Sequence, residues 1–316
     1  MRLSVALCTY HGERFLPDQL ASIASQSRPP DELVVCDDAS TDATSAVLRE
    51  YAAAAPFPVR VYRNPGTLGA TGNFARAIGL CTGGVIALCD QDDVWAADKL
   101  AVVERTLAGA PAAGAVVSDA ELVDEDLEPL GASLWQAVGI GGRERRLLGG
   151  GAAVAALARR NLVTGAAMAF RAEYKPLVLP IPTSWHHDAW IALLIGAVSP
   201  FALVAAPLLR YRQHGRQQVG APGRGLLAEY RRARGNTAFG ETADRYALAL
   251  DRLRGWPGAG EDAVRTLAGK VDHARARARM RAPGVRRLPV IAREVWAGNY
   301  ARYSRGWKSV AQDLFL

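Results

Sequence analysis

Four short stretches hold the side chains most able to do chemistry. Asp90-Gln91-Asp92 is a D-x-D that follows an apolar run, and carboxylates at this spacing can hold Mg2+ or Mn2+ through oxygen while leaving coordination positions for substrate phosphates. Thr9-Tyr10-His11 and Asp37-Asp38 follow two earlier apolar runs and add polar groups suited to a nucleobase and a ribose. Further along, Trp185-His186-His187-Asp188-Ala189-Trp190 sets one carboxylate among aromatic rings, which can partly desolvate it and raise its basicity.

Each feature also has a plainer explanation. A lone D-x-D is common in acidic loops, and Ser40 or Thr41 followed by Asp42 is an ordinary helix N-cap. Asp188 could cap the helix that follows it, and His214 could be a satisfied loop residue. The cap reading suffices for Ser40, Thr41 and Asp42, but not for five aspartates (37, 38, 90, 92 and 93) gathered in two loops. Several chemistries are disfavoured outright. The chain has no G-x-x-x-x-G-K-[ST] phosphate loop, no G-x-G-x-x-G after its first strand and no G-x-S-x-G elbow. Cys8, Cys36, Cys81 and Cys89 lack zinc spacing, and Cys8 and Cys36 sit in apolar runs, where cysteine acts as a small hydrophobe.

The elements that must position these residues can be read from periodicity. Strands are expected at Leu3 to Cys8, Glu32 to Cys36, Val59 to Tyr62 and Val85 to Leu88, and helices at Glu13 to Ala24, Asp42 to Ala53, Thr71 to Leu80 and Ala97 to Leu107. Such a β-α alternation implies an α/β fold with a mostly parallel sheet and ligands at the carboxyl ends of its strands. A less regular stretch follows, with strands at Ala115 to Val117 and Gly165 to Phe170 and a helix near Ala152 to Ala158. Ile191 to Leu209 is uncharged over nineteen residues, the length of a membrane span, but Gly196, Ser199, Pro200 and Pro207 make it a buried helix, a turn and a strand. After Gly220 three helices are expected, at Gly225 to Arg254, Glu261 to Arg281 and Val290 to Leu316.

Composition agrees with a globular enzyme. The 316 residues are 50% hydrophobic and 22% charged, ample for a sizeable core and incompatible with a disordered chain. The net charge of +7 is uneven, −3 over residues 1–220 and +10 over 221–316. The first apolar stretch is short and leads into polar residues, so no secretory signal is expected and a cytoplasmic location is.

Taken in order, the motifs V-A-L-C-T-Y-x-G-E (5–13), V-V-C-D-D-A-S-T-D (34–42), G-x-x-x-N-F-x-x-A (69–77), D-Q-D-D-V-W (90–95), H-D-A-W (187–190) and Y-R-Q-H-G (211–215) resemble those of the inverting family 2 glycosyltransferases of the GT-A type. The D-Q-D-D-x-W form is similar to the rhamnosyltransferase-like branch that builds bacterial surface polysaccharides. The resemblance implies a GT-A nucleotide-diphospho-sugar transferase domain over 1–220, followed by a basic helical C-terminal region over 221–316. It also implies roles. Thr9, Tyr10, Asp38, Asn73 and Asp90 would bind the nucleotide sugar, with Asp38 at the base and Asp90 meeting the ribose, or the metal through water. Asp92, with His214, would meet a divalent metal, Mn2+ or Mg2+. Asp188 would be the catalytic base, and Trp185 and, of the pair His186 and His187, His187 would contact the acceptor. Tyr10 is expected to pack and Trp95 to wedge the metal loop. Three positions depart from the family pattern: His11 where asparagine is common, Ala39 where glycine is common, and Gln217 where asparagine is frequent.

The implied reaction moves a sugar, rhamnose from dTDP-L-rhamnose, to a saccharide or lipid-linked saccharide acceptor. A UDP-hexose donor is the alternative within enzymes, and a non-catalytic nucleotide-sugar-binding or membrane-peripheral protein the alternative outside them. Arg275, Arg277, Arg279, Arg281, Arg286 and Arg287, followed by Trp296, Tyr300, Tyr303 and Trp307, suit an anionic membrane surface at the inner face of the plasma membrane. The same aromatic residues recur at helical spacing and equally suit a stripe docked on the catalytic domain. Nucleic-acid binding is not expected, because no reading motif accompanies the charge.

Overall fold

The computed structural model describes residues 1–215, 239–281 and 287–315. Its first half is a β-α alternation: β1 (Leu3–Thr9), α1 (Leu16–Ala24), β2 (Glu32–Asp37), α2 (Thr44–Ala54), β3 (Val59–Arg63), α3 (Gly69–Leu80), β4 (Val85–Cys89), β5 (Val94–Trp95) and α4 (Lys99–Gly109). The four expected strands start at the expected residues and each runs one residue further. β4 and the interiors of β1 and β2 are runs of Val, Leu, Ile, Ala and Cys, and these three strands are buried throughout, whereas β3, Val-Arg-Val-Tyr-Arg at the sheet edge, is partly exposed.

The second half contributes β6 (Ala115–Val123), β7 (Pro129–Ser133), α5 (Leu134–Val138), α6 (Gly142–Gly149), α7 (Ala153–Leu157), β8 (Met168–Arg171), α8 (Lys175–Val178), α9 (His187–Val198) and β9 (Phe201–Arg212). The strand expected from Gly165 begins only at Met168, because Gly165–Ala167 form a 3-10 turn. All strands join one sheet in the order β3-β2-β1-β4-β8-β6-β9-β5, with β7 beside β6. The run β3-β2-β1-β4 is parallel; β8 is antiparallel to both β4 and β6, and β6 and β9 are parallel. Because β1 lies between β2 and β4, the loops after these three strands meet at one edge, the place where open α/β sheets bind ligands.

The uncharged stretch from Ile191 to Leu209 is helix α9, a turn at 199–200 and strand β9. Among the described residues no helix is long and apolar enough to cross a membrane. All four cysteines are free and buried, and burial pushes the thiols up, Cys36 to about 11 and Cys81 to about 12.

Five helices follow: α10 (Phe239–Arg254), α11 (Glu261–Ala278), α12 (Leu288–Trp296), α13 (Asn299–Tyr303) and α14 (Trp307–Phe315). Residues 225–238 of the first expected helix, and Gln217 and Arg286, lie outside the described residues. Leu250, Leu253, Leu267 and Val271 belong to the same hydrophobic core as Ile78, Ile86 and Trp190, so α10 and α11 pack on the sheet layer. The single helix expected from Val290 to Leu316 is instead three short ones. Gly298 and Gly306 adopt left-handed φ of 70° and 61°, and each turns the chain where glycine carries no Cβ penalty.

That break separates the aromatic stripe. Tyr300 is buried against His273, whereas Trp296 and Trp307 are 92% and 76% exposed. The arginine run is divided too, since the Arg277 guanidinium is buried and pairs with Asp313 through two bonds of 2.7 and 2.6 Å. Helical spacing misled here because it assumes one unbroken helix.

Candidate active site

The loops after β1, β2 and β4, the start of α9 and the end of β9 enclose an open cleft of about 1660 Å3. Thr9, Tyr10, Asp38, Asn73, Asp90, Asp92, His187, Asp188 and His214 all line it. The sequence placed these residues up to some two hundred positions apart, and the fold brings them to one cleft. Trp185 is the exception. It is buried against Trp190 and Tyr246, and its indole Nε1 donates to the Arg245 carbonyl, so the acceptor contact expected of it is corrected to a core contact.

The five aspartates divide into two groups. Asp37 accepts from the Thr9 and Ser40 hydroxyls and from the Ser40 amide, which fixes the turn after β2. Asp38 accepts from the amides of Leu68 and Gly69 and from the Asn64 side chain, so both its oxygens hold the loop before α3. Asn73 donates to the Cys36 carbonyl and accepts from Asn64, tying α3 to β2. Asp93 is buried and accepts from the Arg212 amide. Asp90 and Asp92 remain as the carboxylates turned toward the cleft.

These two are crowded by a third. Burial first, then the charges of Asp92 and Asp188, push the Asp90 carboxyl up to about 7. Three carboxylates in a partly dehydrated cleft are an excess of negative charge that a hard divalent cation relieves. Asp92 Oδ2 lies 2.9 Å from His214 Nε2, which brings an oxygen from the loop between β4 and β5 together with a nitrogen from the chain just after β9. Among the described residues no three His, Cys, Asp or Glu side chains form a closed cage, so a cation here would complete its shell with water and phosphate oxygens. The chemistry of the donor set fits such an ion.

Asp188 is the second residue of α9 and not its cap, which is His186. Its Oδ1 accepts from the Ala189 amide at 2.6 Å, and the helix N-terminus holds the carboxylate at the cleft. His187 was expected at the acceptor, and the structure gives it a different place. Its ring stacks on Phe74 at 3.8 Å and 16°, and burial pulls it down to about 4, so it is neutral. Its Nε2 faces Gly165, where a Cβ would stand 2.7 Å away; only glycine leaves room for the ring. The exposed member of the pair is His186. Tyr10 does not pack into the core. It is 45% exposed and stacks on His11 at 4.1 Å on the cleft rim. Trp95 is buried, as a wedge should be, under the Lys99 ammonium at 4.2 Å.

Three positioning residues were given no role by the sequence, although two of them, Gln91 and Arg212, lie inside its motifs. The Gln91 side chain accepts from the Tyr10 amide and donates to the Tyr10 carbonyl, closing the first loop onto the D-x-D loop. Arg212 is fully buried and donates to the Asp92 carbonyl, the Glu125 carbonyl and the Asp18 carboxylate. Lys99, pulled down to about 8 by burial, donates to the Ala166 carbonyl beneath the same loop. The signals were faint ones: an arginine inside an apolar strand and a lysine at the start of an apolar helix face.

Comparison with known proteins agrees with this geometry. Glycosyl transferase family 2 matches residues 4–141. The UDP-Glc:alpha-D-GlcNAc-diphosphoundecaprenol beta-1,3-glucosyltransferase WfgD of Escherichia coli is 31% identical over 98 residues, 31% of this chain and 38% of that protein. The dTDP-rhamnosyl transferase RfbG of Shigella flexneri is 33% identical over 98 residues, 30% of this chain and 34% of that protein. The matched stretch thus spans little more than a third of these relatives. Among solved structures, S. aureus TarS 1-349 in complex with UDP-GlcNAc superposes with a TM-score of 0.54 at 15% identity, covering 88% of each chain. The mannosyltransferase PcManGT from Pyrobaculum calidifontis, in complex with GDP-Man and Mn2+, gives 0.52 at 21% identity, covering 99% of this chain and 84% of that one. Residues 4–141 thus match glycosyl transferase family 2, in a chain whose fold is of the GT-A type.

Proposed function

We propose that this protein is a metal-dependent, inverting glycosyltransferase of polysaccharide biosynthesis, with dTDP-L-rhamnose as donor and a saccharide or lipid-linked saccharide as acceptor. The observation that carries the reading is the meeting of Asp90, Asp92 and Asp188 in one cleft, close enough for the other two charges to raise Asp90. RfbG, named a dTDP-rhamnosyl transferase, supports the donor; WfgD, named for UDP-Glc, supports a UDP-hexose as the second reading. In this reading residues 1–220 are the catalytic unit, 221–316 a basic helical region, and the protein works at the cytoplasmic face of a membrane.

Asp92 and His214 would hold Mn2+ or Mg2+, which when bound supplies Lewis-acid neutralisation of the departing diphosphate. Tyr10 and His11 on the rim, and Thr9, Asp38 and Asn73 below them, shape the nucleoside end. Asp188 takes the proton of the acceptor hydroxyl as its oxygen bonds to the anomeric carbon. The bond from that carbon to the diphosphate oxygen breaks on the opposite face, and the nucleoside diphosphate leaves with the bonding pair.

The test is the thermal midpoint of the protein with dTDP, UDP and GDP in turn, with and without Mn2+, since a ligand of the native state alone raises stability by RT ln(1 + [L]/Kd). A shift with dTDP that needs Mn2+ is expected. A shift with UDP alone would move the donor to a UDP-hexose, and no shift with any nucleotide would overturn the enzyme reading in favour of a non-catalytic protein.

A further inference from the structure

The cleft has two electrical ends. Asp38, Asp90, Asp92 and Asp188 mark one, and Arg159, Arg160, Arg305 and Lys308 line the other. The basic end is built from two distant parts of the chain. Arg159 and Arg160 follow α7, and Arg305 and Lys308 lie at the turn into α14. The Arg159 Nε donates to the Ser304 carbonyl at 3.3 Å and fastens these parts together.

Arg159, Arg160 and Arg305 enter no salt bridge among the described residues. Arg160 spends its guanidinium on the carbonyls of Val138 and Gly139, at 2.6 and 2.9 Å, which fix it without neutralising it. Burial above all, together with the charges of Arg159 and Arg305, pulls that guanidinium below its ordinary value, with Glu144 acting the other way. Like charges held together at a cleft wall are an unfavourable arrangement that an anion removes. Trp307, next to Lys308 in the chain, is 76% exposed.

Resting on the transferase reading, we propose that Arg159, Arg160, Arg305 and Lys308 form an anion subsite that binds a phosphate or diphosphate carried by the acceptor. A donor diphosphate belongs at the acidic end, where a cation can accompany it; the basic end binds phosphate without metal. An acceptor held there by its phosphate would extend its sugar toward Asp188, and the exposed Trp307 ring offers a contact for a chain attached beyond the phosphate.

The experiment is calorimetric titration of the whole protein in EDTA with inorganic pyrophosphate and with farnesyl diphosphate. Both are expected to bind without metal. The exposed pair Arg305→Ala/Lys308→Ala should weaken them at least about tenfold, Arg305→Gln alone should weaken them less, and Asp92→Asn should leave them unchanged, because charge-assisted hydrogen bonds are lost only at the basic end. Farnesyl diphosphate binding about tenfold tighter than pyrophosphate would identify a lipid-linked phosphate, and equal affinities a phosphorylated saccharide. Absence of binding, binding untouched by the double substitution, or binding abolished by Asp92→Asn would overturn the subsite. The nucleotide melting series is independent of this titration, so metal-free diphosphate binding without any nucleotide shift would retire the transferase reading while leaving the anion subsite in place.

Discussion

At the scale of single residues, two of the three departures from the family pattern fall at backbone positions that favour the residue replaced. His11 and Ala39 adopt φ of 48° and 61°, the left-handed region in which asparagine and glycine are at ease and other side chains are not. A non-glycine residue there costs roughly 1–2 kcal/mol, from which the extra unfolded-state freedom of glycine, about 0.4–1 kcal/mol, must be subtracted. Ala39→Gly is therefore expected to stabilise the protein by up to about 1 kcal/mol; a lower denaturant midpoint in the variant would contradict this. Asp188 belongs to the same scale. Asp188→Asn keeps shape and removes the base, so transfer should fall by at least about 10² while the nucleotide-induced thermal shift stays as in the parent protein. Near-normal turnover would remove Asp188 from that role.

At the scale of elements, the end of the sheet opposite the cleft is held by one side chain. Glu32 on β2 accepts from Ser4 on β1, from the amide and hydroxyl of Thr82 before β4, and from Arg60 on β3. Burial alone would raise this carboxyl, yet those four donors hold it down at about 2. A carboxyl with a folded value below its unfolded one adds stability that is complete above about pH 4.5 and is lost as pH falls toward 2. The shift corresponds to roughly 3 kcal/mol. Glu32→Gln should lower stability at neutral pH by an amount of this order and flatten the acid limb between pH 4.5 and 2. Parallel acid-denaturation profiles for the two proteins would show that the clamp contributes nothing.

At the scale of the whole molecule, the C-terminal helices complete the cleft from outside the family domain. A buried polar network sets their positions: His273 lies between Glu294 and Ser304 at 2.7 and 2.9 Å, and Asp313 takes both Arg277 and the Tyr300 hydroxyl. Among the described residues the buried apolar cluster beside it is Met280, Ile291, Tyr300 and Val310, with Val290 and Val295 packed against it, so this region depends on the network more than the sheet does. Removing one partner of a buried ion pair leaves the other charge uncompensated, at a cost of about 3–5 kcal/mol. Asp313→Asn should therefore loosen the segment carrying Arg305 and Lys308. Limited proteolysis is expected to cut between residues 288 and 308 at an early time while the unit built on the sheet, residues 3–212, survives. An unchanged digestion pattern would mean that the network does not hold the helices.

What the sequence determined by itself was local and periodic. Apolar and β-branched runs separated by helical patterns bury themselves best as strands, so the four leading strands, the uncharged helix-turn-strand of Ile191 to Leu209 and the carboxylates at the strand ends were all legible. The tertiary structure decided which of those carboxylates face the cleft. A sequence shows that Asp37, Asp38 and Asp93 are acidic, but not that Ser40, Leu68, Gly69 and the Arg212 amide already occupy their oxygens. It shows two adjacent histidines, but not that one is stacked beneath Phe74 and the other left at the rim. It shows a basic, aromatic tail, but not that Gly298 and Gly306 break the helix, bury Tyr300 and carry Arg305 and Lys308 to the cleft. These outcomes depend on partners more than a hundred residues away, and periodicity records only which face a residue prefers, not what that face will meet.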